Sequence, residues 1–200
     1  MKKYKFLIHW SLFTLAFLTA GYIVGYIAGL STGSLFGLTV ADNGTNFTQT
    51  VVYCVFGSVV ITSISLTQLS ILKRYKIKIS KRWILSGILG IIISEVIAGI
   101  ILWQLKINRS DLGIFQGGPQ FPEALIFSFS GLLIGFFQWL VIRKQFDHSV
   151  YWIPANFLGW GLGHLVMFHF LAFFPGALVL GIITGLFFNR IIKSNNAVIN

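Results

Sequence analysis

The chain has 200 residues, of which 56% are hydrophobic and only 10% are charged, and its mean hydropathy is +0.82. A water-soluble fold of this length needs more polar side chains than that to cover its surface, so lipid is the expected solvent. The net charge of +10 does not signal nucleic acid, because the lysines and arginines gather at the ends of apolar runs.

The expected fold is all-α: one transmembrane domain of six helices. The first span, Phe6 to Leu30, follows Lys2, Lys3 and Lys5. Its apolar run is longer than the h-region of a cleaved signal peptide, so it reads as a retained anchor. Ala16 and Ala20 give it a small-xxx-small face suited to docking. The polar stretch Ser31 to Gln49 then leads to the second span, Thr50 to Leu72. The one cysteine, Cys54, falls within that span and excludes an internal disulfide. A strongly basic connector follows, with Lys73, Arg74, Lys76, Lys78, Lys81 and Arg82.

The third span is Trp83 to Leu105. The stretch Ile107 to Pro122 carries Gly117-Gly118-Pro119, a turn signal, and precedes the fourth span, Glu123 to Ile142. Both polar stretches are candidate outer lids. Arg143 and Lys144 close the fourth span. The fifth, Val150 to Leu171, and the sixth, Phe173 to Ile192, carry Pro154 and Pro175 near their starts, where a missing N–H costs nothing. All the basic residues except Lys106 and Arg109 lie on one side of this alternation. By the positive-inside rule that side is cytoplasmic, which puts both termini inside and the protein in the plasma (inner) membrane.

The chain also resembles itself. Gln68 to Arg74 aligns with Gln138 to Lys144, and Trp83 to Gly90 aligns with Trp152 to Gly159, both at an offset of about 70 residues. Gly131 and Gly135 resemble Gly181 and Gly185, and Gly21 and Gly25 match the spacing of Gly159 and Gly163. Three helical hairpins in parallel account for these matches. The string from Gly131 to Arg143, with Tyr151-Trp152-Ile153 and Gly159 to Gly163, resembles a family of small bacterial membrane proteins frequent in cyanobacteria. Those proteins carry repeated "GQWLVLR…WW…LGWALG" segments. The resemblance covers spans four and five well and the rest faintly; it implies topology and supplies no catalytic residue.

Ionisable groups at membrane depth are costly, and so they are functional candidates. Glu95 lies twelve residues beyond Trp83, about 18 Å along a helix, and His164 lies twelve beyond Trp152. The Gly21/Gly159 match adds Tyr26 at the corresponding place. Facing inward, Glu95, His164 and Tyr26 would form one polar layer able to hold a small solute or pass a proton. Gln68 and Gln138 form a second candidate ligand-binding layer nearer the cytoplasm, with Asn189 at similar depth; interhelical hydrogen bonding is the simpler role there. Trp10, Trp83, Trp103, Tyr151 and Trp152 are expected in the interfacial aromatic belt.

His164 and His169 do not share a helix face, and no HExxH, GxSxG or nucleotide-binding fingerprint is present. No metal, cofactor or catalytic residue is therefore assigned, and an enzyme is not the expected class. Two readings stay open: a bundle that binds or transports a small solute or ion, and a scaffold subunit held by other membrane subunits or by copies of itself.

Overall fold

The computed structural model describes residues 3–35, 46–107, 121–169 and 173–196. They form six helices: α1 Lys3–Leu35, α2 Asn46–Arg74, α3 Arg82–Gln104, α4 Phe121–Ile142, α5 Trp152–His169 and α6 Phe173–Asn196. A 3-10 turn, Ser149–Tyr151, leads into α5. No strand occurs among the described residues. All six expected segments are helical, and five of them (α1 to α4 and α6) are long and apolar enough to cross a bilayer. The shortest, α5, has 18 residues and is not one of the five. The outward faces carry Ile23, Ile27, Leu85, Ile100 and Leu125, each more than half exposed. Such a surface belongs in lipid.

The helices outrun the apolar stretches at the far end of the first hairpin. α1 continues through Ser31 and Thr32, whose hydroxyls donate to the carbonyls of Ile27 at 2.9 Å and Ala28 at 2.8 Å. A hydroxyl satisfied inside its own helix does not force a loop. The rest of the two expected outer lids, residues 36–45 and 108–120, lies outside the described residues. At the other end, α2 closes with a Schellman motif: the Ile77 N–H donates to Leu72 O at 2.9 Å and the Lys76 N–H to Lys73 O at 3.0 Å. Lys76 takes φ of 61° in the place usually given to glycine.

Each helix packs against its neighbours in the chain, and α6 returns to pack against α1. The six helices therefore close into a ring in sequence order. Glycines set how tightly its seams shut. A Cβ on Gly90 of α3 would stand 2.7 Å from the Ile134 Cα of α4, and one on Gly181 of α6 would stand 2.9 Å from the Ser11 Cα of α1. These are backbone-to-backbone contacts that no rotamer change can relieve. Between helices already in lipid, such packing replaces the hydrophobic drive available in water.

Gly90→Ala is expected to lower stability by about 1–3 kcal/mol, the usual cost of overpacking. Gly29→Ala should be neutral, because its new methyl makes ordinary contacts, with Val52 Cγ1 at 3.4 Å and with Phe56 Cβ and Val52 O at 3.8 Å. Unfolding in mixed micelles with denaturing detergent measures both.

Candidate functional site

The basic end of the ring is closed by aromatic rings. Trp10 of α1, Trp83 of α3 and Trp152 of α5 are all completely buried, as is Phe188 of α6. Trp152 meets Trp10 edge-on at 6.2 Å and Trp83 at a tilt of 41° at 5.4 Å. Phe188 stacks on Trp10 at 5.2 Å and meets Trp152 edge-on at the same distance. These three tryptophans are a packed floor, where the sequence suggested an interfacial belt. Trp83 and Trp152 sit in the first turn of their helices and Trp10 two turns into α1, all on the ring-facing side, so the neighbouring helices cover them before lipid can. Trp103, 65% exposed, and Tyr151, 42% exposed, do face outward as expected.

Each buried indole N–H finds an acceptor on the adjacent helix. Trp83 Nε1 donates to Gln68 Oε1 of α2 at 3.0 Å, and Trp152 Nε1 donates to Gln138 Oε1 of α4 at 3.0 Å. Trp10 Nε1 donates to Thr184 Oγ1 of α6 at 3.1 Å. Gln68 and Gln138 thus make the interhelical hydrogen bonds expected of them. Gln138 does more: its amide passes over Gly87 of α3 and donates from Nε2 to Ser65 Oγ of α2 at 3.4 Å. Three helices are tied by one side chain. Asn189 is also buried, but its Oδ1 has no hydrogen-bond partner.

Stepping by four residues from each tryptophan traces a stripe into the ring, turning about 40° around the helix at each step. The stripes read Trp10, Thr14, Leu18, Tyr22 on α1; Trp83, Gly87, Ile91, Glu95 on α3; and Trp152, Asn156, Trp160, His164 on α5. All these residues are buried except Tyr22, which is half-buried. Glu95 is 2% and His164 5% exposed. The His164 ring stacks on Phe127 of α4 with centroids 3.7 Å apart.

A small cavity opens between α1, α5 and α6 at this level, bounded by Leu18, Tyr22, Trp160, His164 and Leu180, with glycines at the helix contacts. Its free space suits about one water-sized molecule. The structure therefore brings His164 together with Tyr22 and not with Tyr26. Tyr26 lies one turn further along α1, is 50% exposed, and does not reach the cavity. Tyr22 packs its ring edge-on against Phe56 of α2 at 5.1 Å. The sequence holds the signal that finds it: Tyr22 is twelve residues from Trp10, as Glu95 is from Trp83 and His164 from Trp152.

At the basic end, His9 Nδ1 and the Tyr75 hydroxyl share a 2.8 Å hydrogen bond that ties α1 to the α2–α3 connector. Among the described residues, no three His, Cys, Asp or Glu side chains gather closely enough to hold a metal ion. No family model matches this chain, and no curated protein or solved structure matches it either.

Removing the indole donor in Trp152→Phe leaves the Gln138 carbonyl oxygen buried without it, at a cost of about 1–3 kcal/mol. In a double-mutant cycle with Gln138→Leu, the two changes should be coupled by about 0.5–2 kcal/mol. Unfolding free energies of the four proteins in mixed micelles provide the check.

Proposed function

We propose that this chain is a plasma-membrane protein of six spans, arranged as three parallel hairpins with both termini in the cytoplasm. In this reading it binds a small polar or cationic solute at the level of Tyr22, Glu95 and His164. The observation that carries the reading is the cavity shared by Tyr22 and His164, placed three turns beyond a floor of completely buried tryptophans. An imidazole and a phenol facing one cavity at membrane depth are expensive, and a solute that uses them gives a reason for the expense; Glu95, buried on α3, does not line that cavity. The aromatic floor seals the basic end, so solute reaches this state of the protein from the other end or from between α1 and α6.

The hairpin reading draws support from the three indole hydrogen bonds, each running from the first helix of one pair to the last helix of the preceding pair. Gln68 and Gln138 take equivalent places. Phe188 stands where the third glutamine would, if Gly181 and Gly185 are matched to Gly131 and Gly135. Trp10 accordingly finds its acceptor one turn away, at Thr184. The resemblance to small cyanobacterial-type membrane proteins implies the same topology.

A scaffold role is the second reading. The exposed positions of Ala16 and Ala20 on α1 favour it, since small residues open to lipid permit a close approach by another helix.

Thermal unfolding of the purified protein against ammonium, sodium and potassium salts tests the solute reading. One cation should raise the midpoint, Tyr22→Phe and His164→Gln should abolish the rise, and Tyr26→Phe should preserve it. A midpoint indifferent to every cation, together with a stable co-purifying membrane subunit, would favour the scaffold. Orientation is tested separately in a Cys54→Ser background. Ser80→Cys should react with an impermeant maleimide only in inside-out vesicles, and Lys106→Cys only in intact cells.

A further inference from the structure

We propose that the α2–α3 connector is a binding surface for the phosphate headgroups of anionic lipids. The positive-inside rule accounts for cations at this end of the molecule. It does not account for how they are mounted.

From Arg74 to Arg82 the connector alternates in burial. Tyr75, Ile77 and Ile79 are half-buried and pack against the tryptophan floor, whereas Arg74, Lys76, Lys78, Lys81 and Arg82 are exposed. One edge of the connector is therefore an apolar row docked on the floor, and the other is a row of cations. The docked edge is fixed by specific contacts. The Tyr75 hydroxyl shares its hydrogen bond with His9, and the Tyr75 ring meets Phe6 edge-on at 5.1 Å.

The near end is fixed by the Schellman motif of α2, and the far end by the Ser80 hydroxyl, which accepts from the Arg82 N–H at 3.3 Å. A flexible basic loop would lose conformational entropy on binding an anion. This one has been ordered already by folding, so its cations meet a charged surface with less to lose.

The geometry also selects the partner. The connector is short, begins and ends at helices long and apolar enough to span a bilayer, and is held down against the bundle. Its exposed cations are consequently held close to the helix ends, the level at which lipid headgroups meet a spanning helix. It contains no acidic residue. Attraction to an anionic leaflet grows with each such cation near the surface. The proposal is independent of the solute site.

Titrating the detergent-solubilised full chain with phosphatidylglycerol or phosphatidylcholine, and counting retained lipids by native mass spectrometry, tests it. The wild type should retain phosphatidylglycerol preferentially. Lys76→Gln/Lys78→Gln/Lys81→Gln should weaken that retention about tenfold or more, with phosphatidylcholine unaffected, and the corresponding Lys→Arg triple variant should restore it. Ile77→Ser/Ile79→Ser keeps every charge but releases the docked edge; it should weaken retention at least twofold. Equal retention of the two lipids by the wild type would overturn the proposal, as would a Gln triple variant that holds phosphatidylglycerol unchanged. Retention untouched in the Ile→Ser variant would overturn the role of docking. Preference erased by inorganic phosphate or by nuclease would assign the surface to a soluble anion or to nucleic acid instead.

Discussion

A buried indole N–H must find an acceptor, and in a dry interior only protein can supply one. This chain meets that demand three times at one level. Trp83 and Trp152 reach the glutamines of the helix before them, and Trp10 reaches across the whole sequence to Thr184. The hydrogen bonds fix which helix neighbours which and at what height. They also bring three large rings to a common centre, where Phe188 fills the remaining space. Because the helices are already in lipid, burying apolar surface contributes little to holding them together. Specific hydrogen bonds and backbone-close glycine contacts therefore carry more of the burden than they would in a soluble bundle.

From this floor the two ends of the ring acquire different characters. Bulky aromatic and aliphatic side chains close the basic end and dock the α2–α3 connector. Toward the other end the stripes finish on polar groups, Tyr22, Glu95 and His164, and the cavity beside His164 opens where Gly159, Gly163 and Gly176 leave room. The cavity thus lies on the far side of the aromatic floor from the basic connector.

The helices were legible because length and hydropathy suffice to place an apolar span. Their ends were less so, since Ser31 and Thr32 satisfy themselves within α1 and prolong it. Glu95 and His164 are both buried, as their depth in the sequence suggested, but of the three expected residues only His164 lines the cavity, and the tyrosine beside it is Tyr22, one turn from Tyr26. The reason lies in what each residue type reports. Gly21 faces Ser63 and Val60 of α2, whereas Gly159 faces Leu180 of α6, so aligning them compares different seams. The tryptophans share one interior cluster and measure depth on a common scale. Counting from Trp10 leads to Tyr22. The buried character of these tryptophans was hidden because an interfacial tryptophan and a ring-closing one occupy the same place near a span's end in sequence.

The ring has a temporal consequence. Five of its six contacts join helices that follow one another during synthesis, but the sixth joins the first helix made to the last. Until α6 is made, the α1 face bearing Ser11, Thr14 and the Trp10 N–H lacks the helix that covers it. A nascent chain halted before Gly181 would be an open horseshoe with a sticky polar edge.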